Sequence, residues 1–148
     1  MAKSGNRVIL FASVLFLITM LIGCSSKNIS KDNFNIEQLQ NEMKTRNYNF
    51  EIKDVQQDFL PTTRKRMIID DKEIDIYLFS SNKKMENEAS HIDSGGCGYD
   101  NGSKSVNVSW VSFPHFYKKG SIIVQYVGED EKIISDLKDI CGEQFAGY

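Results

Sequence analysis

Residues 66–79 read RMIIDDKEIDIYLF, and this stretch decides the fold. Ile74, Ile76 and Leu78 occupy alternate positions, and a period of two is typical of a β-strand with one buried face. Residues 66–69, RMII, form a second run that is apolar after Arg66, and the polar triplet DDK at 70–72 separates the two runs. A short polar connection between two such runs predicts a tight turn, so we expect an antiparallel hairpin here.

Helical and extended periods alternate on both sides of this hairpin. Asn35 and Gln38 have the spacing of a capping box before an apolar stripe, and Ser81 is a second candidate cap. The predicted helices are 35–47, 81–92 and 129–141, and the predicted strands are 48–53, 66–69, 73–79, 106–110 and 122–126. The sequence therefore predicts an α+β domain of order α-β-β-β-α-β-β-α, with helices packed on a mainly antiparallel five-stranded sheet.

The N-terminus has the features of a bacterial lipoprotein signal. Lys3 and Arg7 precede a hydrophobic segment of fifteen residues, 8–22, which is shorter than the roughly 20 residues needed to span a bilayer. The sequence LIGC at 21–24 resembles a lipobox. This resemblance implies cleavage before Cys24 and a diacylglycerol thioether on its sulfur. An uncleaved anchor helix, or cleavage at another residue, is the alternative.

The lipobox interpretation divides the chain into three parts. Residues 1–23 are the predicted signal peptide, 24–34 are the lipidated cysteine with a flexible polar tether, and 35–148 are a single α+β domain. A tether of about nine residues reaches at most roughly 30 Å. We therefore expect a lipid-anchored protein on the extracytoplasmic face of the cell membrane, with its domain close to the lipid.

Charge and motif content argue against several classes of function. Without the signal peptide the chain has 16 basic and 20 acidic residues, a net charge of −4, which argues against nucleic-acid binding. His91 and His115 are the only histidines, and neither belongs to a zinc-ligand motif, so no metal site is predicted. The glycines around Cys97 lack the remaining residues of a nucleotide-binding loop, and no cofactor is expected.

Cys97 and Cys141 are the only cysteines that remain once Cys24 is assigned to lipid. An extracytoplasmic domain lies in a compartment that permits disulfides. A bridge between positions 44 residues apart would stabilise the domain by about 4 kcal/mol in the chain-entropy description. Two separate buried thiols are the other interpretation, and the sequence leaves both open.

The densest cluster of unusual residues is WVSFPHFYKKG at 110–120. The candidate binding residues in it are Trp110, His115, Tyr117, Lys118 and Lys119. As a connection between strands, this segment would bring aromatic rings, an imidazole and two ammonium groups together, which suits an anionic or sugar-like ligand. In the alternative interpretation the aromatic rings close the end of the core and the lysines are solvated. No catalytic residue is predicted with it.

The C-terminal third resembles an uncharacterised family of small secreted bacterial proteins and lipoproteins. The similar residues are WV at 110–111, PHFYKKG at 114–120, IIV at 122–124, YVG at 126–128 and GEQFAG at 142–147. The resemblance implies a common fold and an extracytoplasmic location, and it implies no activity.

Three functions are compatible with these features. The first is a non-enzymatic surface lipoprotein that binds a small-molecule ligand or a protein partner through residues 110–120. The second is a small hydrolase or transferase that acts on envelope material, with His115 as acid or base. The third is an accessory subunit that docks on a membrane complex through an exposed sheet edge. The first is the main prediction.

Overall fold

A computed structural model describes residues 33–148, which form three helices and eight strands. The helices are α1 (Ile36–Thr45), α2 (Asn82–Ala89) and α3 (Glu131–Cys141). The strands are β1 (Glu51–Val55), β2 (Thr63–Ile69), β3 (Lys72–Leu78), β4 (Gly98–Asp100), β5 (Ser105–Asn107), β6 (Pro114–Lys119), β7 (Ile122–Val127) and β8 (Ala146–Gly147). The predicted signal peptide, Cys24 and most of the tether lie outside the described residues. Among residues 33–148, no helix has the length and apolar character needed to cross a membrane.

Six strands form one sheet in the order β1-β2-β3-β7-β6-β8, and every neighbouring pair is antiparallel. The hairpin predicted from residues 66–79 is present as β2 and β3, with Ile69 paired to Lys72. Asp70 in its turn has a φ of 53°, in the left-handed region that aspartate tolerates. The α+β class, the three helices and the antiparallel sheet are therefore confirmed.

The number and position of the strands differ from the predicted five. Residues 114–119, expected within a connection, form β6 in the interior of the sheet. Alternation is hidden there because residues 114–117 are all buried, on one face or the other. The predicted strand 106–110 is reduced to β5, which pairs only with β4 in a separate two-stranded ladder. The two-residue β8 is too short to leave a sequence pattern.

The sheet is covered on both faces, and successive residues of each strand point to opposite faces. On the first face, Ile74, Ile76 and Val124 pack in one cluster with the buried residues of α1 and α3. On the second face, Tyr77 and Phe116 pack with the buried residues of α2 and of the loop between β1 and β2. We call these the helical face and the groove face.

Phe34 fixes the end of the sheet at which the described chain begins. Its side chain is 3% exposed, and its carbonyl oxygen accepts a hydrogen bond from Ser121 N at 2.9 Å. Gly120 has a φ of 57°, and a Cβ at this position would overlap the Phe34 carbonyl. We call this end of the sheet the proximal end, and the opposite end, where Lys72 begins β3 and Val127 ends β7, the distal end.

Candidate functional site

Four of the five residues predicted to bind a ligand lie on β6, on both of its faces, and Trp110 lies in the segment before this strand. Tyr117 and Lys119 face α3, where the Tyr117 hydroxyl donates to Ile134 O and Lys119 donates to Ile140 O. Tyr117 is 1% exposed, and burial raises its pKa to about 12. Lys118 points to the other face and pairs with a glutamate of α2. These side chains hold helices to the sheet and do not form one binding surface.

His115 is 6% exposed, and both of its ring nitrogens have partners inside the protein. Nδ1 lies 2.8 Å from Gln144 Oε1, and Nε2 lies 3.0 Å from the carbonyl oxygen of Gly128. The ring also stacks on Tyr126, with 6.2 Å between centroids. A general acid or base needs a nitrogen that can reach a substrate, so this geometry gives the catalytic alternative no support.

Trp110 is half-buried and its orientation is fixed by three contacts. The indole N–H donates to Gly96 O at 2.8 Å. The ring lies 5.6 Å from Phe59 and 6.5 Å from Phe116 between centroids. Trp110 borders a cavity on the groove face. Because its only polar group is already bonded, it contributes apolar surface to this cavity.

Cys97 and Cys141 are both free cysteines, so the structure contains no bridge between them. Cys141 belongs to the apolar cluster on the helical face, and burial raises its pKa to about 12. Cys97 is half-buried in the loop before β4, and its neighbour Gly96 packs against Phe116 on the groove face. The two thiols therefore lie on opposite sides of the sheet.

A row of polar residues crosses the middle of the groove face. Arg66 of β2 pairs with Asp75 of β3, and Asp75 pairs with Gln125 of β7. Arg66 Nε and Nη2 donate to the two carboxylate oxygens of Asp75 at 2.8 and 3.0 Å, a bidentate ion pair. This hydrogen bonding raises the pKa of Arg66 further above its ordinary value. We call Arg66, Asp75 and Gln125 the polar row.

The loop between β1 and β2 brings Asp58 over the polar row. The Tyr77 hydroxyl lies 2.9 Å from Asp58 Oδ1 and 3.0 Å from Gln125 Oε1. Arg64 pairs with both Asp58 and Asp75. Burial, together with these two negative charges, raises the pKa of Tyr77, so its hydroxyl stays neutral. Because a hydroxyl has one hydrogen, Tyr77 donates to only one of the two oxygens at a time.

Gln125 has hydrogen-bonding capacity that this network does not use. It is 2% exposed, and within residues 33–148 its Nε2 has no hydrogen-bond partner. The buried Nε of Arg64 also lacks one among these residues. A buried polar group without a partner costs roughly 1–3 kcal/mol, and folded proteins contain few of them. Gln125 is also one of the residues that line the cavity on the groove face.

The cavity over the polar row has a volume of about 410 Å³, within the range of small-molecule sites, roughly 300–1,000 Å³. The polar row forms its floor, Asp58 lies at one side, and Trp110 with Val111 forms a wall. Lys72 and Val127 extend the lining to the distal end of the sheet. We call this cavity the Gln125 groove.

Sequence patterns point to the groove only weakly. Asp75 lies between Ile74 and Ile76, and an alternating strand predicts that such a residue faces solvent. The better signal is Gln125, the single polar residue in the run IIVQYV at 122–127. A run of this kind predicts a strand buried on both faces, where a polar side chain needs a specific partner.

Comparison with known protein families, curated proteins and solved structures finds no match to this chain. Across residues 33–148, no group of three or more His, Cys, Asp or Glu side chains is arranged to hold a metal ion. The resemblance of the C-terminal third to secreted bacterial proteins stays a prediction.

Proposed function

We propose that this chain is a lipid-anchored protein of the extracytoplasmic face of the bacterial cell membrane, whose domain binds a small polar molecule in the Gln125 groove. The observation that carries the binding is the buried Gln125 side chain, whose amide lacks a partner where it lines a cavity. The anchor rests on the lipobox that ends at Cys24.

The position of the groove suits a tethered binding protein. Phe34, the last residue of the segment predicted as the tether, lies at the proximal end of the sheet. The groove extends to Lys72 and Val127 at the distal end. A domain held by its proximal end presents its distal end away from the lipid, where a ligand arrives from outside the cell.

Binding without catalysis fits the chemistry of the groove. Its lining includes no histidine and no cysteine, so it contains neither a Ser–His nor a Cys–His pair. Arg66 and Asp75 neutralise each other. His115 has no part in the proposal, because its ring nitrogens are both bonded within the protein.

The fluorescence of Trp110 tests the binding proposal, because Trp110 is the only tryptophan of the chain and borders the groove. The full chain in detergent micelles is titrated with three neutral sugars and three charged small molecules. We expect a saturable change with at least one of them. The change should be lost in Gln125→Leu and kept in Gln56→Leu, whose side chain is exposed outside the groove. Equal responses in the two variants, or no response in the wild type, would refute the proposal.

The lipid anchor is tested separately in growing cells. We expect radioactive palmitate to label the wild type and the protein to sediment with membranes. Both properties should be lost in Cys24→Ala and retained in Cys97→Ala. Label that persists in Cys24→Ala would show that the lipobox interpretation is wrong.

A further inference from the structure

We infer that the molecule bound in the Gln125 groove is neutral and rich in hydroxyl groups, that is, a saccharide. This inference rests on the proposed function and names the ligand class for the same site. Three properties of the groove lead to it: charges that are already paired, a floor that needs both a donor and an acceptor, and an aromatic wall without a free polar group.

The charges of the groove disfavour anionic ligands, and each charged lining residue already has an ion-pair partner within the protein. The charged lining residues are Asp58, Asp71, Glu73 and Asp75 with Arg66 and Lys72. Their acidic excess repels phosphates and carboxylates. Arg66 is bonded to both Asp75 and Glu73, which neutralise its charge and weaken its attraction for an anion. Asp75 already has two guanidinium partners, Arg64 and Arg66, so a cation gains little there.

The floor of the groove calls for a ligand group that both donates and accepts hydrogen bonds. Gln125 lines the groove and has an amide end without a partner among the described residues, and the side chain of Asp58, which also lines the groove, is 41% exposed. The two residues lie close together, because both contact the Tyr77 hydroxyl. A hydroxyl group donates and accepts. Neighbouring hydroxyls of a sugar ring therefore satisfy Gln125 and Asp58 together, and they match either orientation of the Gln125 amide.

Trp110 supplies the apolar surface that a sugar ring requires. Its N–H is bonded to Gly96 O, and Phe59 packs against the ring in an edge-to-face arrangement. The C–H face of a pyranose is apolar, whereas its hydroxyls project from the ring edge, so a sugar placed against this wall directs hydroxyls to the floor. Val111, which is fully exposed, extends the wall to the rim. Glycine, polyamines and phosphate have no flat apolar face to place there.

The test compares neutral sugars with charged probes on the full chain in detergent micelles. Chitotriose, maltotriose and galactose are the neutral probes, and glycine, spermidine and inorganic phosphate are the charged ones. We expect at least one sugar to change Trp110 fluorescence saturably and to shift the side-chain NH₂ signals of Gln125 in ¹⁵N–¹H spectra. Gln125→Leu should weaken sugar binding about tenfold or more, and Gln56→Leu should leave it unchanged.

The outcomes separate the ligand class from the binding function. Gln125-dependent binding of a charged probe alone would overturn the saccharide and leave the groove as a binding site. A response to none of the six probes would overturn both. If circular dichroism shows that Gln125→Leu is unfolded, the ¹⁵N–¹H spectra of the wild type provide the test of the inference. Sugar-induced shifts at Gln125 and at the Trp110 indole support the inference, and shifts confined to other residues refute it.

Discussion

Replacing Gln125 by leucine should make the domain more stable, although the change removes a polar residue from the candidate site. One end of the buried amide has no partner among the described residues, and such a group costs roughly 1–3 kcal/mol. The change also removes a hydrogen bond with Tyr77 worth about 1 kcal/mol, while Tyr77 keeps Asp58 as an acceptor. The free energy of unfolding should therefore rise by about 1 kcal/mol, or roughly 4 °C in Tm.

Gln144→Leu is the matched control, because both ends of that amide are bonded. Gln144 Oε1 lies 2.8 Å from His115 Nδ1, and Nε2 donates to Tyr148 O at 3.2 Å. The same substitution there leaves Nδ1 of buried His115 without a partner and should lower the free energy of unfolding by about 1–2 kcal/mol. Urea unfolding of the full chain in detergent, followed by circular dichroism at pH 7, measures both changes. If Gln125→Leu destabilises as much as the control, the buried amide is not an unmet group and the groove loses its main support.

Three further predictions concern other parts of the domain. Gly120→Ala should lower the free energy of unfolding by about 3 kcal/mol, because the alanine would have a positive φ and its Cβ would overlap the Phe34 carbonyl. A decrease of less than about 1 kcal/mol, measured by urea unfolding, would contradict this. Asp130 caps α3, and the backbone hydrogen bond it accepts lowers its pKa. Asp130→Asn keeps the cap without the charge, so the wild type should be about 0.5 kcal/mol more stable above pH 3.8. This difference in stability should vanish as the pH falls through the lowered pKa of Asp130 in the folded state. Unfolding curves of both proteins at pH 7 and at acidic pH measure the difference. In the native protein, iodoacetamide should label Cys97 but not buried Cys141, as measured by peptide mass spectrometry. If both cysteines stay unlabelled after the protein is unfolded without reductant, they are joined by a disulfide.

The helices can be predicted from the sequence because their ends are specified by residues three positions apart. Gln38 N donates to the Asn35 side chain while Gln38 Oε1 accepts from Asn35 N, the reciprocal pair that the spacing predicts. Ser81 caps α2 by accepting from Lys84 N. The last helix begins slightly later than predicted, because Asp130 is its N-cap.

Strand β6 and the groove depend on contacts between distant residues, so local patterns do not reveal them. β6 lies between β7 and β8 with both faces buried, which removes the alternation that marks a half-buried strand. Asp75 and Gln125 become neighbours only through the pairing of β3 with β7. Asp58 joins them from a loop that folds over the sheet. A local pattern specifies neither the partner of a strand nor which face of a doubly covered sheet holds a cavity.

The attachment of Phe34 determines how the domain responds to mechanical tension in the chain that precedes it. Its carbonyl is bonded to Ser121, and Lys119 lies 4.5 Å above its ring, so both contacts are at the turn between β6 and β7. β7 is an interior strand, bonded to β3 on one side and to β6 on the other. A pull on the preceding chain would therefore act first on the contacts between Phe34 and this turn, before it reaches α1 and the edge strand β1. The groove extends from Gln125 to the distal end of the sheet, away from the end at which this tension would act.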